Sequence, residues 1–145
     1  MFKKILVPTD GSALSLNAAT TAAQMAKSHG AEVIGVYVID PFPYIGIGDA
    51  SAAGLQAYLA ESRSVAGQAL DALGKVCAAE GVPFAGDTIE RNVVYEGVIE
   101  TANAEGCDLI VMASHGRQGV SALVLGSVAQ KVLTHTKLPV LIVKG

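Results

Sequence analysis

Short runs of apolar residues, rich in β-branched side chains, recur along this chain. Three of them read KKILVP at 3–8, EVIGVYVI at 32–39 and CDLIVMA at 107–113. Apolar runs of this length that lack polar alternation are typical of strands buried on both faces, and such strands occur mainly in parallel sheets. We therefore predict a buried sheet, with the run at 107–113 at its centre.

Segments with helical spacing separate these runs. Leu14, Ala18, Ala22 and Ala26 recur every four residues, and Gly30 stands where a glycine that caps a helix C-terminus would stand. Because parallel strands need helical crossovers that cover both faces, five strands alternating with four helices favour a doubly wound α/β fold. The remaining predicted elements are helices from near Ser51 to Gly81, at 94–105 and at 127–136, and strands at 82–90 and 138–143.

Length and composition fit one folded domain over residues 1–145. The chain is 51% hydrophobic and only 16% charged, which supplies a core and gives no compositional sign of disorder. The stretch from Asp40 to Ala50 reads DPFPYIGIGDA, which is typical of turns.

The charge pattern argues against nucleic acid and membrane partners. Ten basic and thirteen acidic side chains give a net charge of −3, without a basic cluster that would attract phosphate backbones. The first apolar run stops at Pro8, which is too short for a signal sequence or a membrane span. We expect a cytoplasmic protein.

Cysteine and histidine show no metal or redox pattern. Cys77 and Cys107 lie in regular segments, without CxxC or Cys/His spacing, and are interpreted as reduced core residues. His29, His115 and His135 are widely separated. A metal site is therefore not expected.

A glycine-containing loop follows the fourth predicted strand. It reads ASHGRQGVSALVLGS from Ala113 to Ser127, where a helix is predicted to begin. Open parallel sheets bind ligands beyond the carboxyl ends of their strands, where the winding direction reverses. Glycines let main-chain N–H groups approach an anion, and a helix N-terminus adds partial positive charge. The loop therefore predicts a phosphate site, although glycines that only permit tight turns are the alternative.

Gly116, nine further residues and the pair Gly126-Ser127 match the pattern G-x-x-G-x9-G-[S/T], and the chain resembles the nucleotide-binding branch of the universal stress protein family. The resemblance covers essentially the whole chain, including KKILVPTDGS, GVYVID, ASHGR and KLPVLIVK. It implies a five-stranded parallel sheet of order 3-2-1-4-5, adenine nucleotide alpha hydrolase-like, with helices on both faces. It also implies ATP across the ends of the first and fourth strands, with Mg²⁺ as a companion of the phosphates.

The resemblance assigns the adenosine end of the ligand to the first, second and fourth strands. Asp10 would lie near the ribose or a metal ion, and the main chain of Val38 would pair with the adenine edge. The implied residues at this end are Pro8, Thr9, Asp10, Val38, Met112 and Ala113.

The implied phosphate contacts come from the glycine loop and the start of the following helix. They are Gly116, Arg117, Gly126, Ser127 and Val128. Ala113 departs from the family pattern, which has a glycine there. If that main chain needs a positive φ or touches phosphate closely, the methyl group costs about 1 kcal/mol, or roughly fivefold in affinity.

Several of these residues have a purely structural alternative. Asp10 or Ser12 would also serve as the N-cap of the first helix. Val38 would also fit a core strand, and Arg117 would also fit a solvated surface. His115 is left out of the site because an exposed loop histidine is at least as common.

The sequence favours a nucleotide-dependent stress-response protein, in which ATP orders the 40–50 and 113–126 loops and changes a surface that a partner reads. The alternative is an interaction module of the same fold that binds no nucleotide. Because no nucleophile, base and orienting group occur together, turnover is expected to be slow ATP hydrolysis at most.

The last predicted strand favours a homodimer. LPVLIV would lie at a sheet edge, where its unpaired main-chain groups would pair with a second copy. The family resemblance implies the same dimer.

Overall fold

The computed structural model describes residues 1–41, 52–116 and 125–145. Within these ranges the strands are β1 (Lys4–Pro8), β2 (Glu32–Ile39), β3 (Phe84–Glu90), β4 (Leu109–Ala113) and β5 (Val140–Val143). The helices are α1 (Ala13–His29), α2 (Ala52–Ala79), α3 (Val94–Ala104) and α4 (Ser127–His135). All strand pairs are parallel, in the order β3-β2-β1-β4-β5. The predicted α/β class and strand order are confirmed.

The central sheet separates two apolar layers. Alternate residues of β1 point to opposite faces, so that Ile5 and Val7 join the layer under α1 and α2, while Leu6 joins the layer under α3 and α4. Cys77 is buried in the first layer and Cys107 in the second, as predicted. Burial raises the pKa of both thiols to about 11.

β4 begins two residues later than the sequence pattern predicts. The main-chain N–H of Cys107 bonds back to the carbonyl of Ala102 and closes α3 instead of joining the sheet. Asp108 follows, and its carboxylate accepts from the main-chain N–H groups of Lys3 and Lys4 at 2.9 and 3.1 Å. These contacts fasten the start of β1 beside β4.

β5 is also shorter than the predicted 138–143 strand. The N–H of Leu138 donates to Thr136 Oγ1, and Pro139 has no N–H to give. Its carbonyl nevertheless accepts from the N–H of Ile110, so the pairing with β4 starts at the next residue. β3 likewise begins at Phe84 rather than at 82, because the N–H of Val82 closes α2 on the Cys77 carbonyl.

The winding direction reverses between β1 and β4. β1 pairs with β2 on one side and with β4 on the other, so the chain segments after β1 and β4 leave the sheet next to each other. Such a reversal opens a crevice at the carboxyl ends of the strands.

Among the residues that the structure describes, no helix combines the length and the apolar character needed to cross a bilayer.

Candidate functional site

A cavity of about 800 Å³ opens at this crevice, between the ends of β1, β2 and β4 and the starts of α3 and α4. Its volume falls within the ordinary range for small-molecule sites. Every candidate residue in the described part of the chain lines it, namely Pro8, Thr9, Asp10, Val38, Met112, Ala113, Gly116, Gly126, Ser127 and Val128. Arg117 lies outside the described residues.

Asp10 lies where the chain turns from β1 into α1. Its Oδ1 accepts from the main-chain N–H of Ser12 at 2.9 Å and from the hydroxyl of Ser15 at 2.8 Å. Ser12, not Asp10, is the N-cap, since its hydroxyl accepts from the N–H of Ser15. Asp10 therefore supports the start of α1 while it also lines the cavity. Gly116 approaches the same carboxylate group from the β4 side.

The start of α4 differs from that of α1. Gly126 is its N-cap, and no side chain of the described residues makes a capping hydrogen bond there. The N–H of Gly126 donates to the Ser114 carbonyl at 2.6 Å, which folds the start of α4 back over the end of β4. A helix start without a side-chain cap leaves N–H groups that an anion can bind.

The main chain of β2 runs past the end of β1. Thr9 N–H donates to the Val36 carbonyl, so the polar main-chain groups of Val36 face β1. In a strand, the main-chain groups of successive residues point alternately to the two neighbouring strands. The N–H and carbonyl of Val38, two residues after Val36, therefore point to the same side as those of Val36. The β1 register ends with Pro8 opposite Val36, so these groups of Val38 face the cavity beyond the strand.

Ala113 does not adopt the conformation that would make its methyl group costly. It is 8% exposed, pairs with Val143 and packs in the layer under α1. No non-glycine residue in the described ranges has a positive φ. A positive φ at Ala113 therefore does not weaken binding. The methyl group would weaken binding only if it came into close contact with a phosphate.

Sequence reasoning missed several residues of the cavity. Val94 and Val98 from α3 and Leu125 before α4 supply apolar walls. The helical spacing of Val94 and Val98 looks like that of ordinary core residues. His115 also lines the cavity, which its classification as an exposed loop histidine does not predict. Its position directly before Gly116, within the glycine pattern, is the sequence signal that could have identified it as a site residue. ATP is expected to order the 40–50 and 113–126 loops, but residues 42–50 and 117–124 of these loops lie outside the described residues.

The family model and the related sequences all indicate the same protein family. The model of the universal stress protein family matches residues 1–144. Universal stress protein MJ0531 of Methanocaldococcus jannaschii is 38% identical over 99% of this chain and 83% of its own length. A universal stress protein of Thermus aquaticus, from the QAH/OAS sulfhydrylase 3' region, is 34% identical over 99% of this chain and all of its own.

Solved structures share the fold. The structure of hypothetical protein MJ0577 of M. jannaschii covers all of this chain and 97% of its own, with a TM-score of 0.86 and 27% identity. A universal stress protein in complex with cAMP has a TM-score of 0.69 at 24% identity, covering 99% and 97%. The Archaeoglobus fulgidus universal stress protein in complex with dAMP has a TM-score of 0.68 at 20% identity, covering 98% of each chain.

Proposed function

The chain belongs to the universal stress protein family, and from that premise we propose that it binds an adenine nucleotide, ATP above all, as a nucleotide-dependent stress-response protein. The observation that carries the proposal is the cavity at the β1/β4 reversal. It joins a helix start that no described side chain caps to the main chain at the end of β2. The same residues 1–145 would act as one domain.

The phosphates would bind at the start of α4. The N–H groups of Ser127 and Val128 stand in the first turn of that helix, where partial positive charge is concentrated. Gly116 and Gly126 would let phosphate oxygens approach the main chain, and the Ser127 hydroxyl would add a donor. Ser114, between two lining residues, has a hydroxyl that is buried without a hydrogen-bond partner among the described residues. Arg117 would add charge.

The base would bind at the end of β2. Val38, Val94 and Val98 give this end of the cavity apolar walls suited to an aromatic ring. The adenine edge offers an amino donor and a ring-nitrogen acceptor, which complement the carbonyl and N–H of Val38. Thr9, Asp10 and the strand end at Met112 and Ala113 would then surround the ribose.

Magnesium would enter with the phosphates. Asp10 and Asp40 are carboxylates that line the cavity within the described residues. Mg²⁺ usually keeps several waters and takes one or two carboxylates, so Asp10, beside Gly116, suits a role as a direct or water-mediated ligand. The ion would neutralise phosphate charge.

The family members in complex with cAMP and dAMP bind adenine nucleotides. At 24% and 20% identity, their likeness to this chain establishes the fold and nothing further. They support the proposal only in that this fold holds adenine nucleotides in other proteins. The assignment to this chain rests on its own cavity.

We also propose a cytoplasmic homodimer that forms through β5. This strand lies at the edge of the sheet, and Leu141 is 37% exposed there. An apolar edge strand has main-chain groups that a second copy can pair with.

Nucleotide analysis of the purified protein tests the proposed function. After denaturing extraction, chromatography is expected to show an adenine nucleotide. Independently, millimolar Mg-ATP is expected to raise the unfolding temperature, because a ligand at a hundred times its Kd adds about 2.7 kcal/mol to the free energy of unfolding. Protein that releases no nucleotide and gains no stability with Mg-ATP would instead fit the interaction module that binds none.

A further inference from the structure

The end of β2 is tied to α2 by a hydrogen bond outside the sheet. The Tyr58 hydroxyl donates to the main-chain carbonyl of Asp40 across 2.9 Å. Asp40 lies one residue beyond β2, whose last residue, Ile39, is paired with Glu90. Tyr58 thus holds the chain just past the point where the strand ladder ends.

Packing fixes the ring of Tyr58. A small apolar cluster joins the first half of α2 to the end of β2, separate from the two main layers. Among the described residues, Ile39, Leu59 and Ala66 are its buried members, and Tyr58 and Tyr37, both half-buried, pack against it. Because the ring is held on this cluster, its hydroxyl is directed to Asp40 at little further entropic cost.

Tyr58 stands behind the wall of the cavity. Tyr37, Val38 and Asp40 line the cavity from the end of β2, whereas Tyr58 is not among the lining residues. We propose that Tyr58 is a positioning residue for the base of the nucleotide: its hydrogen bond to Asp40 fixes the end of β2 so that the main chain of Val38 meets the adenine edge. This inference rests on the proposed function.

The physical reason is the narrow geometry of hydrogen bonds. A donor and an acceptor on one strand end can both reach the base only if that end keeps its position, because hydrogen bonds weaken steeply with misalignment. A released strand end would have to be ordered again whenever the base binds. The proposed phosphate site is at the start of α4, on the other side of β1. Loss of the Tyr58 hydroxyl should therefore weaken binding of the base and spare binding of the phosphates.

Tyr58→Phe tests this directly, since it removes the hydroxyl and keeps the ring. Calorimetric titration with Mg-ATP and with inorganic tripolyphosphate separates the two ends of the site. We expect Tyr58→Phe to raise the Kd for ATP about threefold to tenfold, the usual effect of one hydrogen bond, and to leave the Kd for tripolyphosphate unchanged. Tyr95→Phe is the matched control, because Tyr95 is also half-buried but stacks on His135 outside the cavity lining.

Amide hydrogen exchange gives a second readout that needs no ligand. Without nucleotide, the amides of Ile39 and Asp40 should exchange faster in Tyr58→Phe than in the wild type and in Tyr95→Phe. Equal losses for ATP and tripolyphosphate, unchanged ATP affinity, or unchanged exchange would each overturn the positioning role. A wild-type protein that binds no ATP would refute the proposed function as well, whereas normal wild-type binding that Tyr58→Phe does not alter would refute the positioning role alone.

Discussion

Gly116 lies so close to the carboxylate of Asp10 that a Cβ at position 116 would overlap Asp10 Oδ2. The contact joins the segment after β4 to the segment after β1, which are 106 residues apart in the chain. The other carboxylate oxygen of Asp10 already accepts from Ser12 and Ser15 at the start of α1. Asp10 therefore has little room to move away, and glycine at position 116 is what lets the two segments share one cavity.

Gly116→Ala should weaken ATP binding by about tenfold or more, because the added methyl group would displace Asp10 or the main chain that is proposed to face the phosphates. Gly67→Ala is the matched control, since a Cβ there meets nothing within 4 Å. It should leave ATP affinity unchanged and raise the free energy of unfolding by about 0.5–1 kcal/mol, because alanine favours a helix over glycine. Calorimetry and urea unfolding measure both effects, and wild-type ATP affinity in Gly116→Ala would contradict the role given to this contact.

Ala113 stands where the family pattern has a glycine. The Ala113→Gly variant tests whether its methyl group matters for core packing or for nucleotide binding. Since Ala113 has no positive φ and packs in the core, we expect the free energy of unfolding to fall by about 1–2 kcal/mol, from the lost methyl burial and the added chain entropy. The Kd for ATP should stay within about twofold of the wild type. A fivefold gain in affinity by calorimetry would show instead that the methyl group touches the phosphates.

The fold could be predicted from the sequence because each buried strand appears as an apolar run and most helices end at a glycine. Gly30, Gly81 and Gly106 all have a positive φ just after a helix, as their positions suggested. The errors lie at strand starts. At Cys107 and Leu138, apolar side chains continue the strand pattern, but their main-chain N–H groups bond to a helix end and to a threonine hydroxyl, which hydrophobicity does not encode.

The part of the site formed by glycines and a helix start could be predicted from the sequence. The candidates in the described residues do line one cavity, but their roles towards a nucleotide stay a prediction. Val94 and Val98 could not be found, because an apolar residue at a helix start that walls a cavity has the same pattern as one in the core. The closeness of Asp10 and Gly116 is a tertiary contact that no local pattern contains.

The buried thiols should make stability depend on pH under alkaline conditions. Burial raises the pKa of Cys77 and Cys107 from 9.0 to about 11. Well below pH 9 the thiols are neutral in both the folded and the unfolded state. Between pH 9 and 11 the unfolded chain ionises first, so the free energy of unfolding should fall, by up to about 2 kcal/mol per thiol.

Urea unfolding at pH 8, 9 and 10 measures this loss. The Cys77→Ala, Cys107→Ala double variant is the control for effects of alkaline pH that do not come from the thiols. The variant should lose less stability than the wild type over the same interval. Equal losses would mean that the thiols are not the cause.

Leu141→Glu should separate the proposed homodimer into monomers, because a carboxylate on the edge strand would be buried against the second copy. Light scattering at micromolar concentration should show twice the mass of one chain for the wild type and the mass of one chain for the variant. Val93→Glu, an exposed apolar position at the start of α3, is the control and should leave the dimer intact. A monomeric wild type would refute dimerisation through β5.

The central claim is that the amide groups at the start of α4 and the main chain at the end of β2 bind one nucleotide between them. Calorimetric titration of nucleotide-free protein with millimolar Mg-ATP, beside the Gly126→Val variant, tests it most directly. A side chain at position 126 would meet the Ser114 carbonyl oxygen at 2.9 Å and the His115 Cα at 3.0 Å, which would push the start of α4 away from β4. We predict saturable binding near one ATP per chain for the wild type and none for Gly126→Val. A flat wild-type titration, or equal binding by the variant, would contradict the claim.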